Sequence, residues 1–113
     1  MPTVEVVPGP RTTEEVIETS VALHRRIGKL AIRINGEIPG FLVNRVQSAM
    51  IREVWDLYER GIASAEDIDT AIRGSIGFRL ALFGPLKICD FGGIDIWTTV
   101  YTKMAPDLRA DAE

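Results

Sequence analysis

Residues able to carry out acid–base or nucleophilic chemistry are few in this chain. It has one histidine, His24, and one cysteine, Cys89, and neither belongs to a metal-ligand cluster or to a GxSxG, P-loop or GxGxxG motif. Cys89 has no histidine near it in sequence, so we interpret it as a small core residue. His24 lies two turns into a predicted helix and is expected to be exposed beside Arg25 and Arg26. The chain alone is therefore not expected to contain a complete active site.

Asn44 is the polar residue whose position most needs explaining. It lies in the segment EIPGFLVNRV (residues 37–46), in which Pro39 is expected to occupy the first turn of a helix. Asparagine is a poor helix former, and a position five residues after Pro39 is late for a cap. On a helical wheel Asn44 lies at the margin between the apolar and polar sides. We therefore expect its side chain to face a cleft near the start of this helix.

Three charged residues need an interpretation from their positions in the sequence. Glu5 alternates with valines in TVEVV, which by itself is typical of a solvated strand residue. Glu53 projects onto the apolar side of the predicted helix, so it needs a partner, and we interpret it as a structural ion pair or interface residue rather than a catalyst. Arg79, in GFRLALFGP, could bind an anionic group of a substrate or tie its own loop to a carboxylate.

The composition is that of one ordinary globular domain. A chain of 113 residues with 46% hydrophobic and 26% charged residues can form a single core but not two independent ones. The net charge of −3 and the scattered Lys and Arg residues provide no basic surface for nucleic acid. No apolar run approaches the roughly 20 residues that span a membrane, and a lone cysteine favours a reducing compartment. A soluble, cytoplasmic protein without a membrane or nucleic-acid partner is expected.

The first 35 residues predict a β-α-β unit. The pattern indicates a strand at Thr3–Val7, a helix capped by Thr12 and ending near Ile27, and a strand at Lys29–Asn35. Thr12 and Glu15 have the spacing of a capping box, and Gly28 suits the left-handed position after the helix. Two strands and one helix do not form a stable sheet. The unit is therefore interpreted as the end of a larger α/β domain whose beginning lies outside this chain.

The rest of the chain is predicted to be helical. Helices are expected from Pro39 to Arg60, from the N-cap Ser64 to just before Gly74, from Pro85 to about Phe91 and from Ile94 to about Met104, with a loop or short turn at 75–84 and a polar tail after 104. Gly61 is expected to stop the long helix.

The long helix has an unusually wide apolar side. Its apolar residues fill an arc of roughly 200° on the helical wheel, whereas a surface helix needs a stripe only somewhat above 100° wide. The arc comprises Val43, Val46, Ala49, Met50, Ile51, Val54, Leu57 and Tyr58. The excess predicts that the helix contacts both its own core and a second subunit or domain, with Trp55 at the interface edge. The alternative is a central helix surrounded by its own domain.

Two segments carry a resemblance to a known family. PGFLVNR (39–45) and ERGIASAEDID (59–69), at this spacing, resemble the C-terminal part of the 3-hydroxyacyl-CoA dehydrogenases, and the similarity runs from VEVVPGPRT to FGGIDIW. The resemblance implies a mainly α fold: a helical domain like the 6-phosphogluconate dehydrogenase C-terminal domain, preceded by a β-α-β remnant of a Rossmann domain. Residues 1–37 would be that remnant, and residues 38–113 a helical dimerisation and substrate domain.

The resemblance also implies roles for individual residues. The family uses a histidine general base, which belongs to a part of the fold absent from this chain, together with a glutamate and an asparagine that match Glu5 and Asn44. A carboxylate bonded to one imidazole nitrogen fixes the tautomer of such a base, and an amide N–H can stabilise the developing carbonyl oxygen. NAD would be bound by the missing N-terminal domain, with no cofactor-binding or metal-binding residue in this chain.

The substrate that the resemblance implies is a 3-hydroxyacyl-CoA, oxidised to the 3-ketoacyl-CoA in fatty acid β-oxidation. Residues 77–86, however, look more like the branch that contains lambda-crystallin, L-gulonate dehydrogenase and carnitine dehydrogenase, so a free 3-hydroxy acid is an alternative. Arg79 is the candidate substrate-binding residue. A homodimer through the helix at 40–60 is expected, and a non-catalytic helical dimerisation module is the other alternative.

Overall fold

The structure, a computed structural model, describes residues 1–110 and begins with the predicted β-α-β unit. Strand β1 (Thr3–Val6) leads to helix α1 (Glu14–Arg26) and then to strand β2 (Leu30–Arg33). The two strands pair in parallel, with Thr3 opposite Leu30 and Val6 opposite Arg33. Both strands are shorter than predicted, but their order and the crossover helix are confirmed.

The core of this unit lies between α1 and β2. Ile17, on α1, is 5% exposed, Ala31, on β2, is 4% exposed, and Ile34, directly after β2, is 9% exposed. The alternation of β2 brings Ala31 inward and leaves Leu30 outward, as a strand with one covered face requires.

The cap of α1 differs from the prediction by one residue. Thr13, not Thr12, is the N-cap, and its hydroxyl oxygen accepts the N–H of Val16. The hydroxyl oxygen of Thr12 instead accepts the N–H of Gly9 at 2.9 Å and closes the PGP turn. The capping box of Thr12 and Glu15 is therefore wrong, because the tight turn before the helix takes up Thr12. Gly28 follows the helix in the left-handed conformation, as predicted, with a φ of +79°.

The start of the long helix corrects a second prediction. Helix α2 runs from Val43 to Glu59, and residues 39–42 form a turn instead of its first helical turn. Gly40 and Phe41 have φ angles of +81° and +48°, which a right-handed helix cannot contain. Pro39 is therefore a turn residue. Gly61, with a φ of +67°, ends the helix as predicted.

The segment after α2 is more helical than predicted. Helix α3 (Ala65–Ile72) begins at Ser64, whose hydroxyl oxygen accepts the N–H of Asp67 at 3.1 Å, as the sequence predicted. It does not stop before Gly74. A π-helical turn (Arg73–Gly77) and a short helix α4 (Phe78–Leu80) continue it through most of the predicted loop.

Two helices follow, and their predicted bounds are confirmed. Helix α5 (Pro85–Gly92) has Pro85 at its start, where no backbone N–H is needed, and helix α6 (Ile94–Met104) follows after one residue. Gly93 makes the sharp connection with a φ of +86°.

Asp107 and Arg109, after α6, make hydrogen bonds and ion pairs with residues 53–60. The carboxylate of Glu53 accepts the backbone N–H of Arg109 at 3.1 Å, and the Arg109 guanidinium donates to Asp56 and Glu59. Arg60 donates to Asp56 and Asp107, and the hydrogen bond to Asp56 raises the pKa of Arg60. The tail expected to be merely polar is therefore anchored by ion pairs up to residue 109, and residues 111–113 lie outside the described part.

The chain divides into two compact units, 1–49 and 50–113, and the division falls within α2. In the second unit one large apolar side chain among the described residues, Ile68, is buried. None of the helices in the described part of the chain is long and apolar enough to cross a membrane.

Candidate active site

The carboxylate of Glu5 is bound at the N-terminus of α2. Its Oε1 accepts the backbone N–H of Leu42 at 2.7 Å and that of Val43 at 3.3 Å. The first N–H groups of a helix have no partner within the helix, and they carry partial positive charge. Helix α2 has no acidic residue in its own first turn, so Glu5 on β1 supplies the negative charge there. The half-buried Glu5 is thus not merely a solvated strand residue.

The other carboxylate oxygen of Glu5 has no partner in the part of the chain that the structure describes. A carboxylate in this state can accept one more hydrogen bond from a donor outside this chain while its orientation stays fixed by the two backbone amides. The geometry therefore suits a carboxylate that orients a second group, such as the N–H of an imidazole.

Asn44 is the second residue of α2, so it lies in the first turn of the helix and not one turn inside it. The turn at 39–42 moves the start of the helix to Val43, and this explains why an asparagine is placed at residue 44. The Asn44 side chain is exposed, and its amide makes no hydrogen bond within residues 1–110. The Glu5 carboxylate therefore binds the N-terminus of α2, and Asn44 belongs to the first turn of the same helix.

Arg79 lies on the short helix α4 and is exposed. Its guanidinium makes no hydrogen bond or ion pair with any residue that the structure describes. It does not tie its own segment to a carboxylate there, and its charge is available to an anionic ligand.

The remaining candidates are Glu53, His24 and Cys89, and the first two make hydrogen bonds within the chain. Glu53 is half-buried, and its partner is the backbone N–H of Arg109 rather than a cationic side chain. His24 is half-buried and not exposed as expected, and its Nδ1 donates to the carbonyl oxygen of Ser20 at 2.7 Å. Cys89 is half-buried on α5. Within residues 1–110 no group of three or more His, Cys, Asp or Glu residues is arranged to hold a metal ion.

The β-α-β unit does not fit the pyrophosphate of a dinucleotide at the N-terminus of α1. Such a group binds where free N–H groups at a helix N-terminus face it. The first turn of α1 instead carries Glu14 and Glu15, whose charges repel an anion, and Thr13 takes up the N–H of Val16.

Sequence reasoning missed two features of this site. The backbone amides of Leu42 and Val43 were not recognised as ligands of Glu5, because a contact between residues 37 positions apart leaves no local signal. The turn at Pro39 and Gly40 did leave a signal, since Pro-Gly is a strong turn dipeptide. That signal was outweighed by the preference of proline for a first helical turn.

Two sequence models of one family cover the chain almost from end to end. The model of the C-terminal domain of 3-hydroxyacyl-CoA dehydrogenase matches residues 40–112, and the model of its NAD-binding domain matches residues 1–38. This chain belongs to the 3-hydroxyacyl-CoA dehydrogenase family. Its mainly helical fold after a β-α-β remnant, and NAD as the cofactor of the family, are confirmed.

Similar proteins within the family have names that refer to different substrates or, for lambda-crystallin, to no substrate. The chain is 38% identical over 108 residues to 5-formyl-3-hydroxy-2-methylpyridine 4-carboxylate 5-dehydrogenase of Mesorhizobium japonicum, covering 96% of this chain and 35% of that protein. It is 44% identical over 93 residues to a 3-hydroxyacyl-CoA dehydrogenase of Gibberella moniliformis, covering 82% and 29%. It is 42% identical over 87 residues to lambda-crystallin of Oryctolagus cuniculus, covering 77% and 27%, which agrees with the branch expected from residues 77–86.

A solved structure in the family has the same fold as this chain. The crystal structure of a 5-formyl-3-hydroxy-2-methylpyridine 4-carboxylic acid 5-dehydrogenase, an NAD+-dependent dismutase, superposes with a TM-score of 0.92 at 38% identity. The match covers 99% of this chain and 37% of the other. The chain thus spans roughly a third of the length of its dehydrogenase relatives.

Proposed function

We propose that this chain is the C-terminal portion of an NAD-dependent dehydrogenase that oxidises the hydroxyl group of a 3-hydroxyacyl-CoA to a ketone. Residues 1–37 are the end of the NAD-binding domain, and residues 38–113 are the helical domain for dimerisation and substrate binding. The observation that carries the proposal is the binding of the Glu5 carboxylate to the N-terminus of α2, next to Asn44. Activity requires the remainder of the NAD-binding domain, which supplies NAD binding and the histidine base.

Glu5 orients the base in this proposal. A histidine that removes the hydroxyl proton must present a neutral nitrogen to the substrate and hold its other N–H away from it. The oxygen of Glu5 that is left without a partner accepts that N–H, fixes the tautomer and stabilises the imidazolium that forms. The hydrogen bonds from Leu42 and Val43 keep the carboxylate in place during the reaction.

Asn44 acts on the oxygen of the substrate. Its side-chain N–H groups are not used within residues 1–110, so one of them can donate to the carbonyl oxygen as it develops. The helix start fixes the backbone of Asn44, and this limits the rearrangement that its side-chain donor needs when the charge appears.

A free 3-hydroxy acid of the L-gulonate or carnitine type is the alternative substrate. Two observations favour keeping it: one relative is named for a pyridine 4-carboxylate and another is an L-carnitine dehydrogenase. Arg79, exposed and without a partner within residues 1–110, can bind the carboxylate of a free acid or a phosphate of CoA.

The third component of the proposal is a homodimer through α2. Helix α2 has no buried residue, and Val46, Trp55 and Tyr58 are 63%, 64% and 57% exposed. Apolar exposure of this extent on one helix is typical of a surface that a partner covers. The other possibility, a dimerisation module without catalysis, has no use for a free carboxylate oxygen on Glu5 or for Asn44.

The proposal is tested with an assembled dehydrogenase, in which this chain follows the missing part of the NAD-binding domain taken from the Mesorhizobium relative. We expect NAD-dependent oxidation of 3-hydroxybutyryl-CoA by the assembled dehydrogenase and no turnover of acetoacetyl-CoA with NADH by the 113-residue chain alone. Oxidation of carnitine or gulonate, without oxidation of the CoA substrate, would replace the first substrate class by the second. Turnover by the chain alone would contradict the proposal.

Arg79→Gln in the assembled dehydrogenase tests whether this arginine binds the anionic group of the substrate. The KM of the preferred substrate should rise about tenfold or more, because a charged hydrogen bond is lost, while kcat changes little. Arg52→Gln, which alters an exposed arginine on α2, is the matched control.

A further inference from the structure

Phe41 has a backbone conformation that a phenylalanine rarely adopts. Its φ angle is +48°, and among the described residues it is the one non-glycine residue with a positive φ. A bulky side chain in the left-handed region is uncommon because Cβ approaches the following carbonyl group. Conformations of this kind persist only where the surrounding structure requires them, and they are concentrated at functional sites.

The turn that contains Phe41 presents two backbone amides to Glu5. The N–H of Phe41 donates to the carbonyl oxygen of Ile38 at 2.9 Å and closes the turn. The next two N–H groups, of Leu42 and Val43, then point to Oε1 of Glu5 at 2.7 and 3.3 Å. If residues 39–42 had continued α2 towards its N-terminus, these N–H groups would instead donate to carbonyl groups within the helix.

We propose that Phe41 is a positioning residue: its left-handed backbone directs the Leu42 and Val43 amides so that they hold one oxygen of the Glu5 carboxylate and leave the other for a proton donor. This inference rests on the proposed role of Glu5 in orienting the base. According to this inference, the backbone at residue 41 determines the orientation of the Glu5 carboxylate, and the phenyl ring does not. The ring is 40% exposed, so part of it packs against the protein, and a competing explanation through ring packing has to be tested.

Two substitutions at residue 41 separate the backbone from the ring. Phe41→Asn removes the ring but keeps a residue that tolerates the left-handed region. Phe41→Val keeps an apolar side chain, but it is β-branched and therefore strongly disfavours that region. Phe41→Ala, which has a smaller penalty of the same kind, replaces Phe41→Val if the valine variant does not fold.

The first readout is NMR on the 113-residue chain. In the wild type, the amide protons of Leu42 and Val43 should shift as Glu5 titrates, with the same midpoint as the Glu5 side-chain carboxyl carbon. Glu5→Gln should abolish both responses. Phe41→Asn should retain them, and Phe41→Val or Phe41→Ala should reduce their amplitude by half or more.

The second readout is kinetic and uses the assembled dehydrogenase. Phe41→Val should lower kcat about tenfold or more with little change in KM, since a misplaced carboxylate affects the base and not substrate binding. Phe41→Asn should stay within about threefold of the wild type in kcat.

Each result decides the inference. Retention of the amide response in both residue 41 variants would overturn it, because the turn would then not depend on the left-handed preference of the residue. Loss of the response in Phe41→Asn, whatever the other variant shows, would also overturn it, in favour of ring packing. An inactive assembled dehydrogenase would count against the proposed function, whereas the NMR comparison would still decide how Glu5 is positioned.

Discussion

The β-α-β unit and the helical segment after residue 49 differ in how much apolar surface they bury. In the first, a few side chains contributed by α1, β2 and the residue after it are almost fully buried, with Ile17 and Ala31 at 5% and 4% exposure. In the second, Leu82, Leu86 and Ile94 are 66%, 82% and 61% exposed, and Ile68 is the buried large side chain among the described residues. Both segments nevertheless have well-formed secondary structure, and in the second Ser64 caps α3 and Pro85 begins α5 as the sequence predicts.

The difference shows that local sequence signals and burial are separate sources of order. In the second segment a cap, a glycine stop and a proline start mark helix bounds, although Ile68 is the buried large side chain among the described residues. A helix with an exposed apolar face gains most of its stability from a partner that covers it. We therefore expect substitutions in the first segment to act on folding, and substitutions on exposed apolar residues of the second to act on association.

The largest effect is expected in the core of the β-α-β unit. Ile17→Ala removes three buried carbon atoms and leaves a cavity, so it should lower the free energy of unfolding by about 2–4 kcal/mol. Val16→Ala, at the neighbouring position that is 57% exposed, is the matched control and should cost less than about 1 kcal/mol. Urea unfolding followed by circular dichroism measures both. Equal effects of the two substitutions would show that this unit has no specific core.

A smaller effect on stability and a larger one on association is expected for Trp55 on α2. Trp55→Ala should raise the dissociation constant of the homodimer about tenfold or more, because exposed tryptophans at interfaces often contribute over 1 kcal/mol to binding. Arg52→Ala, on the polar side of the same helix, should leave it nearly unchanged. Sedimentation at several concentrations gives the constants. A wild-type chain that stays monomeric at all concentrations would contradict the predicted homodimer.

The smallest effect is expected from the ion pair between Arg33 and Glu14, which joins β2 to α1 on the surface. The hydrogen bond from Arg33 lowers the pKa of Glu14 below its usual value of 4.5. A lowered pKa in the folded state means that the stabilisation is present above pH 4.5 and is lost as the pH falls through the folded value. Arg33→Gln should therefore reduce stability slightly at pH 6 and by less at pH 2. Arg11→Gln is the control, and an equal loss at both pH values would contradict the assignment.

Features that depend on neighbouring residues were predictable from the sequence. The N-cap of Ser64, the stop at Gly61 and the start at Pro85 follow from side-chain and backbone preferences within a few residues, and all three are confirmed. The order of strand, helix and strand was also predictable, because periodicity changes from two to 3.6 residues between them.

Features in which two local preferences compete, or in which residues distant in sequence meet, were not predictable in this way. The Pro-Gly turn competes with the helix that follows it, and the outcome includes a left-handed Phe41 that no propensity favours. The π-helical turn at Arg73–Gly77 likewise extends a helix that Gly74 was expected to end. For the candidate site, residue identities came from resemblance to the family, and the bond from Glu5 to the start of α2 became visible only in three dimensions.

The proposed role of Glu5, held at the start of α2, in the dehydrogenase reaction can be tested by a single measurement. It is the kcat of the assembled dehydrogenase with Glu5→Gln, compared with Glu15→Gln as a control that removes an equal charge from the exposed side of α1. Glutamine keeps the size of the side chain and an acceptor oxygen for the backbone amides, but it stabilises an imidazolium poorly. We predict that kcat falls about a hundredfold or more for Glu5→Gln and stays within about twofold for Glu15→Gln. Equal kcat values for the two variants would contradict the account.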